Sequence, residues 1–185
     1  MDAKDIERYL ELVGRELERR DQQEPIELML IGGGYILTQV RGGRTVTQDV
    51  DVVWLEPEFW AGLRELRRFE MAVHYIAITE GLDPKWLNTD PHEFVMAAVD
   101  MPELKLWKQF GPLMIYIPPK DLILALKLMA AREKDEGDIE LLRKQLRIDT
   151  RRKAQNLIDK YINEFVQHAY HAAQKLDRIF SGSKR

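Results

Sequence analysis

The chain has no cysteine among its 185 residues, which excludes disulfide bonds and zinc sites built on thiolates. It also lacks any run of about 18 apolar residues of the kind that spans a membrane. Its first segment, residues 1–20, is charged throughout and has no apolar centre like that of a secretory signal. We therefore expect a cytoplasmic protein with no membrane partner.

An excess of positive charge is missing as well. The chain carries 28 Lys and Arg against 31 Asp and Glu, for a formal net charge of −3. Because long duplexes bind proteins through a large positive field, this balance disfavours that role and leaves open a small nucleotide or an RNA end. With 45% hydrophobic and 32% charged residues, the composition is that of a globular protein with one domain or a domain plus an appendage.

The most informative stretch covers residues 26–54. An apolar run at residues 28–31 ends in three consecutive glycines, and a short apolar-periodic segment follows at residues 35–40. This pattern predicts a strand, a glycine turn and a short helix. Bare backbone N–H groups at such a helix start attract phosphate oxygens, although a glycine turn also forms without a ligand.

Two acids lie in the next apolar segment, which we predict to be a second strand over residues 45–54. Because side chains alternate along a strand, Asp49 and Asp51 would share one face, about 7 Å apart at Cα. Two like charges in a central strand are costly to bury without a cation, although acids on an exposed strand edge are common. The pair therefore predicts a divalent cation with oxygen ligands, beside a bound phosphate.

The remaining elements follow from periodicity and from turn residues. The predicted elements are an amphipathic helix over residues 2–20, a helix that starts at Glu56-Pro57 and stops at Gly81, a loop over residues 83–91, a β-hairpin from residues 104–110 and 113–117, and helices over residues 122–132, 139–146 and 151–180. Residues 93–99 fit either a helix or a strand.

These elements predict an α+β fold in two parts. Residues 1–118 would form an N-terminal helix plus an α/β core, and residues 119–185 a helical part packed on that core. The apolar face of the helix predicted over residues 151–180 is typical of core packing and is also compatible with pairing to another chain.

A second candidate segment lies in the helical part. Four residues would share one face of an unbroken helix: Lys127, Ala131, Lys134 and Asp138. There Lys127 would meet phosphate charge, and Asp138 would complete a cation site or orient a base. Alternatively, Asp135 caps a new helix and the segment is structural, since Gly137 disfavours an unbroken helix.

Two blocks of residues occur in an order that is familiar from one superfamily. The first block follows the glycines and consists of Arg44, Thr47, Asp49 and Asp51. The second block consists of Lys127, Arg132, Lys134, Asp135 and Asp138. Together they resemble the nucleotidyltransferase (DNA polymerase β-like) superfamily, and within it the AbiEii-like and MenT-like toxin branch with its small uncharacterised bacterial relatives. The resemblance covers residues 26–145.

The resemblance implies a nucleotidyltransferase-like mixed sheet flanked by helices, with a helical C-terminal part. It implies Mg²⁺-dependent transfer of a nucleotidyl group from an NTP to an RNA end or a protein hydroxyl, a reaction that depends on positioning and charge neutralisation. In the toxin branch the acceptor is a tRNA 3′ end or a protein hydroxyl, and a cognate antitoxin silences the enzyme.

The resemblance also implies roles for individual residues. The implied nucleotide-binding residues are Gly33, Gly34, Arg44, Thr47 and Lys127, the implied metal ligands are Asp49 and Asp51, and the implied catalytic residues are Asp49, Asp51 and Asp138. Two features depart from the family pattern. Gly34 stands where a serine is usual, and the predicted later strands contain no third acid, although Asp100 and Glu103 lie just before them. The alternative is therefore a catalytically inactive nucleotide- or partner-binding module of the same fold.

Overall fold

The computed structural model describes residues 1–55 and 63–181. The α+β prediction is confirmed, with a five-stranded mixed sheet and a majority of helical residues. The chain divides into two compact units. The first, here called the sheet unit, consists of Met1–His92 and Leu104–Ile117, and the second, the helical unit, consists of Glu93–Glu103 and Pro118–Arg185.

The helices and strands have the following bounds. In the order of the chain they are α1 (Ala3–Arg19), β1 (Ile26–Leu30), α2 (Gly32–Gln39), β2 (Val50–Trp54), α3 (Leu63–Glu80), β3 (Leu87–Asn88), α4 (His92–Ala98), β4 (Lys105–Phe110), β5 (Leu113–Ile117), α5 (Lys120–Ala130), a 3₁₀ turn (Glu133–Asp135), α6 (Glu136–Leu146), α7 (Arg151–Tyr161), α8 (Glu164–Ala169) and α9 (Ala172–Ser181).

The strand β1 is the centre of the sheet, whose order is β3-β2-β1-β5-β4. It pairs antiparallel with β2 and parallel with β5. Its residues Leu28, Met29 and Leu30 are fully buried. Consecutive residues of a strand point to opposite faces, so a strand that is buried on both faces carries a continuous apolar run instead of an alternating one. The predicted hairpin is confirmed, since β4 and β5 pair antiparallel.

The helix α1 confirms the amphipathic segment predicted over residues 2–20. Asp2 caps it by accepting hydrogen bonds from the N–H groups of Lys4 and Asp5, which satisfies donors that a helix start leaves unpaired. A Cβ on Gly14 would overlap the backbone of Phe110. Glycine at this position therefore allows α1 to approach β4 closely.

In the helical unit, α5 ends at Ala131, whose backbone is left-handed with φ 47°. Two cations from α9 hold this helix end. Lys175 Nζ donates to the carbonyl of Met129 at 2.5 Å, and Arg178 Nη2 donates to the carbonyl of Ala131 at 2.7 Å. Positive groups are favourable at a helix C-terminus because its last carbonyls lack helical partners.

The single helix predicted over residues 151–180 is wrong, because the segment forms α7, α8 and α9. Ile162 is extended and bridges to Val99, and Asn163 then starts α8 by accepting a hydrogen bond from the N–H of Val166. His171, at φ 55°, separates α8 from α9. Apolar periodicity does not reveal such breaks, because each short helix keeps its own apolar face.

Four further predictions concern the segment between β2 and β4. The helix stop at Gly81 is confirmed, with φ 66° just after α3, whereas the helix start at Glu56-Pro57 lies outside the described residues. The loop over residues 83–91 contains the two-residue strand β3, and residues 93–99 lie mostly in the helix α4. Of the described residues, none belongs to a helix that is long and apolar enough to cross a membrane.

Candidate functional site

The glycine triplet forms the first turn of α2 instead of a separate turn before it. Gly32 has φ 63°, in the left-handed region that favours glycine. The N-cap residue, Ile31, has no side chain that can accept from the first N–H groups. The start of α2 therefore presents backbone N–H groups without a side-chain cap of its own.

Side chains from the following loop and from β2 lie directly against these glycines. The carboxylate of Asp51 lies where a Cβ on Gly32 would stand. A Cβ on Gly33 would be 2.9 Å from Arg44 Nη1 and 2.9 Å from Thr47 Oγ1. The structure thus brings a carboxylate, a guanidinium and a hydroxyl to the start of α2, and only glycine leaves room for them.

Gly34 faces the other way, toward the core of the sheet unit. A Cβ there would be 3.2 Å from Leu30 Cδ1 and 3.4 Å from Val50 Cγ1. A side chain at this position would crowd the core, which gives a packing reason for glycine where the resemblance leads one to expect serine. Gly34 can therefore contact a ligand only through its backbone N–H group.

Thr47 anchors the loop that carries the acids. The residue is buried, its N–H donates to the carbonyl of Met1 at 3.0 Å, and its carbonyl accepts from the amino group of Met1 at 2.8 Å. Thr47 Oγ1 donates to the carbonyl of Asp49 at 3.0 Å. These bonds hold the backbone of Asp49 just before β2.

The strand β2 is shorter than predicted and begins at Val50, so Asp49 precedes it and Asp51 lies within it. The predicted alternation therefore applies from Val50 onward and does not fix the relation of Asp49 to Asp51. Both acids are half-buried, whereas Val50, Val52 and Trp54 are buried.

The sequence suggested residues 86–88 only as a segment that could cover the site, and it gave Asn88 no role of its own. The strand β3 pairs parallel with β2, which places Asn88 in register with Asp51. Asn88 Oδ1 accepts a hydrogen bond from the N–H of Asp90 at 3.2 Å. An amide, which carries no charge, therefore stands on the neighbouring strand beside the proposed metal ligand Asp51. The apolar pair Trp86-Leu87 just before Asn88 is the sequence signal for this short strand.

The other acids considered for the third position are not part of the sheet unit. Asp100 and Glu103 are exposed and belong to the helical unit. Within residues 1–55 and 63–181, no group of three or more histidine, aspartate or glutamate side chains is arranged to hold a metal ion.

Lys127 and Asp138, also predicted as site residues, form a buried ion-pair cluster in the helical unit. The unbroken helix is wrong, because Ala131 ends α5 and a new helix starts after Asp135. Lys127 Nζ lies 2.5 Å from Asp135 Oδ1 and 2.8 Å from Asp138 Oδ2, and all three side chains are at most 10% exposed.

This cluster connects the end of α5 to the start of α6. Asp135 stands at the N-cap position of α6, but its carboxylate pairs with Lys127 instead of capping the helix. The implied roles of Lys127 in phosphate binding and of Asp138 in catalysis stay predictions. In this cluster one cation is shared by two buried carboxylates.

In a comparison with known proteins, no family model, curated protein or solved structure matches the chain. The functional argument therefore depends on the residues and on their geometry.

Proposed function

We propose that the protein is a Mg²⁺-dependent nucleotidyltransferase, which moves a nucleotidyl group from an NTP to an RNA end or a protein hydroxyl. The observation that carries the proposal is the convergence of Asp51, Arg44 and Thr47 on the glycines at the start of α2. Its second support is the resemblance of these residues, in this order, to the first motif of the nucleotidyltransferase superfamily.

The site offers groups that could bind the triphosphate and hold a metal ion. Backbone N–H groups of Gly33 and Gly34 would donate to the triphosphate, and the Arg44 guanidinium would offset its charge. Asp49 and Asp51 would hold Mg²⁺, which when bound neutralises the phosphate oxygens. An acceptor hydroxyl then forms one bond to the α-phosphorus and loses its proton to solvent, while the bond to pyrophosphate breaks.

The second candidate is a nucleotide- or partner-binding module of the same fold without catalysis. It is favoured by Asn88, because a neutral amide beside Asp51 gives a cation one charged ligand fewer than an acid would. The pairing of Lys127 with two carboxylates also favours the inactive module, since the positive charge of Lys127 is already neutralised within the helical unit.

The two candidates are separated by a transfer assay. The protein is incubated with Mg²⁺ and each α-³²P-labelled NTP in turn, with total tRNA and the protein itself as acceptors. An Asp49→Asn/Asp51→Asn variant tests the site, and Asp159→Asn, an exposed aspartate on α7, is the matched control. Transfer by wild type and control that is lost in the double variant supports the enzyme.

The remaining outcomes are equally informative. If the wild type transfers no label but binds an NTP in calorimetry, and the double variant does not bind it, the inactive module is the correct function. If the wild type neither transfers nor binds, the phosphate site is refuted.

The proposal extends to a role as the toxin of a toxin–antitoxin pair. Induced expression of the wild type should then stop bacterial growth, whereas the Asp49→Asn/Asp51→Asn variant should not. Normal growth with an enzyme that is active in the transfer assay would remove the toxin role and leave the nucleotidyltransferase in place.

A further inference from the structure

The helical unit contains a groove of about 910 Å³ between α6, the start of α7 and α9. Six basic residues line it: Arg132, Arg143, Lys144, Arg147, Lys153 and Arg178. Three acids line it as well: Glu136, Glu140 and Asp149. Six positive against three negative charges leave an excess of three positive charges, on a chain whose formal net charge is −3. The groove is therefore opposite in sign to the chain as a whole.

Three of the cations have partners within the helical unit. Lys153 pairs with Asp149 at 2.7 Å, Arg178 holds the end of α5, and Arg143 Nε donates to the carbonyl of Ile148 at 3.1 Å. These contacts fix the walls of the groove and explain part of its charge without a ligand.

The other three cations, Arg132, Lys144 and Arg147, are exposed. Their side chains make no hydrogen bond or ion pair with any residue that the structure describes. The dipole of α6 favours Lys144 and Arg147 at its C-terminal end. Arg132 directly follows the C-terminal end of α5, whose dipole favours a cation there in the same way. Charges from different elements thus converge on the groove without protein partners.

Apolar side chains line the groove together with the charges. Ile148 and Ile179 are half-buried and Ile139 is buried, and the Arg143 guanidinium lies 3.9 Å from the centre of the ring of Phe180, the residue after Ile179. A mixed surface of this kind suits a ligand with both flat apolar faces and repeated negative charges. Bases stack on apolar, aromatic and guanidinium surfaces, while phosphates pair with the cations around them.

The arrangement of the cations favours a chain of phosphates over a single anion. Arg143 and Arg147 stand four residues apart, a rise of about 6 Å along a helix, and Arg132 adds a charge from another segment. A lone phosphate needs one or two such groups. A duplex would keep its bases stacked inside and away from the half-buried Ile148 and Ile179, so contact between bases and these side chains requires an unpaired strand.

We propose that this groove binds single-stranded nucleic acid through its phosphate backbone. The inference does not rest on the proposed nucleotidyl transfer, because no groove residue belongs to the site at the start of α2. RNA and DNA share the chemistry that the groove recognises, and the test distinguishes them. A preference for RNA would favour an RNA end over a protein hydroxyl as the acceptor of the proposed reaction.

The test measures fluorescence anisotropy of labelled single-stranded RNA and of DNA with the same sequence, over a range of salt concentrations. The groove variant is Lys144→Gln/Arg147→Asn, since asparagine tolerates the left-handed backbone of Arg147, φ 57°. The control is Arg67→Gln/Arg152→Gln, which removes the same charge from two exposed residues outside the groove.

We expect wild type and control to bind alike and the groove variant to bind about tenfold more weakly at 0.15 M salt. Since each phosphate contact to a single strand contributes about 0.7 to the slope of log affinity against log salt, the slope should fall by about 1.4. Circular dichroism of the variants confirms that each is folded. The Asp49→Asn/Asp51→Asn variant should bind like wild type, which separates failure of the groove from failure of the transfer site.

Three results would overturn the inference. These are no measurable binding of either nucleic acid by the wild type, an equal loss in the groove and control variants, or binding of a poly-aspartate peptide as tight as that of RNA. The last result would assign the groove to an acidic protein segment.

Discussion

Replacing Lys127 by methionine should strongly destabilise the helical unit. The change keeps the length and the apolar stem of the side chain but removes the cation shared by Asp135 and Asp138, whose carboxylates are 10% and 6% exposed. Removing one partner of a buried ion pair costs about 3–5 kcal/mol, because the remaining charges stay out of water. For a chain of this size the melting temperature should fall by about 6–20 °C.

The matched control is Lys160→Met, which breaks an ion pair with Asp121 at 2.7 Å, where the lysine is 57% exposed. An exposed pair contributes about 0–1 kcal/mol, so this variant should unfold close to wild type. Urea unfolding followed by circular dichroism at 222 nm compares the two variants, and the free energy of unfolding is the quantity reported.

A third variant separates charge from packing. Lys127→Met/Asp135→Asn/Asp138→Asn removes all three charges and should recover part of the lost stability, because no unbalanced carboxylate stays buried. If Lys127→Met lies within about 1 kcal/mol of wild type, or if the triple variant is no more stable than the single one, the cluster does not hold the unit together.

Three further predictions concern the sheet unit, and the control for the first of them lies on α6 in the helical unit. Gly33→Ala should weaken NTP binding in calorimetry by about 10–100-fold, because the added methyl group overpacks the site. The control is Gly137→Ala, whose Cβ meets open space. It should leave NTP binding unchanged and stabilise the fold by about 0.5–1 kcal/mol. A hydrogen bond from Arg19 lowers the pKa of Glu16 below its ordinary 4.5. The stability that the ionised Glu16 contributes is therefore lost as the pH falls below that value, and the free energy of unfolding of Glu16→Gln should depend less on pH in this acid range than that of wild type. Asn88→Asp should strengthen Mg²⁺ binding in calorimetry, and unchanged affinity would contradict its position beside the metal pair.

Much of the fold follows from local sequence. The strand β1 and the β4–β5 hairpin are predicted because an apolar run and a glycine-proline turn are local signals. The strand β3 is not, because two residues become a strand only through pairing with β2, a contact distant in sequence. The end of α5 was predicted to within two residues, but the left-handed backbone of Ala131 was not, since that conformation is rare outside glycine and asparagine.

The same difference applies to the candidate site. Gly32, Gly33, Arg44, Thr47 and Asp51 lie within one short stretch, so a correct strand-helix-strand order was enough to bring them together. The environment of Lys127 depends on where α5 ends and α6 begins, and the sequence left that choice open. Its two carboxylate partners could not be assigned until the break was placed.

The division of the chain into units has a consequence for its synthesis and dissection. The polypeptide passes between the units three times, after His92, after Glu103 and after Ile117. During synthesis β1 therefore waits for its parallel partner β5 until residues 93–103, which belong to the other unit, have been made. No single cut yields either unit whole: a fragment that ends at Ile117 still carries α4, separated from the rest of the helical unit to which most of that helix belongs.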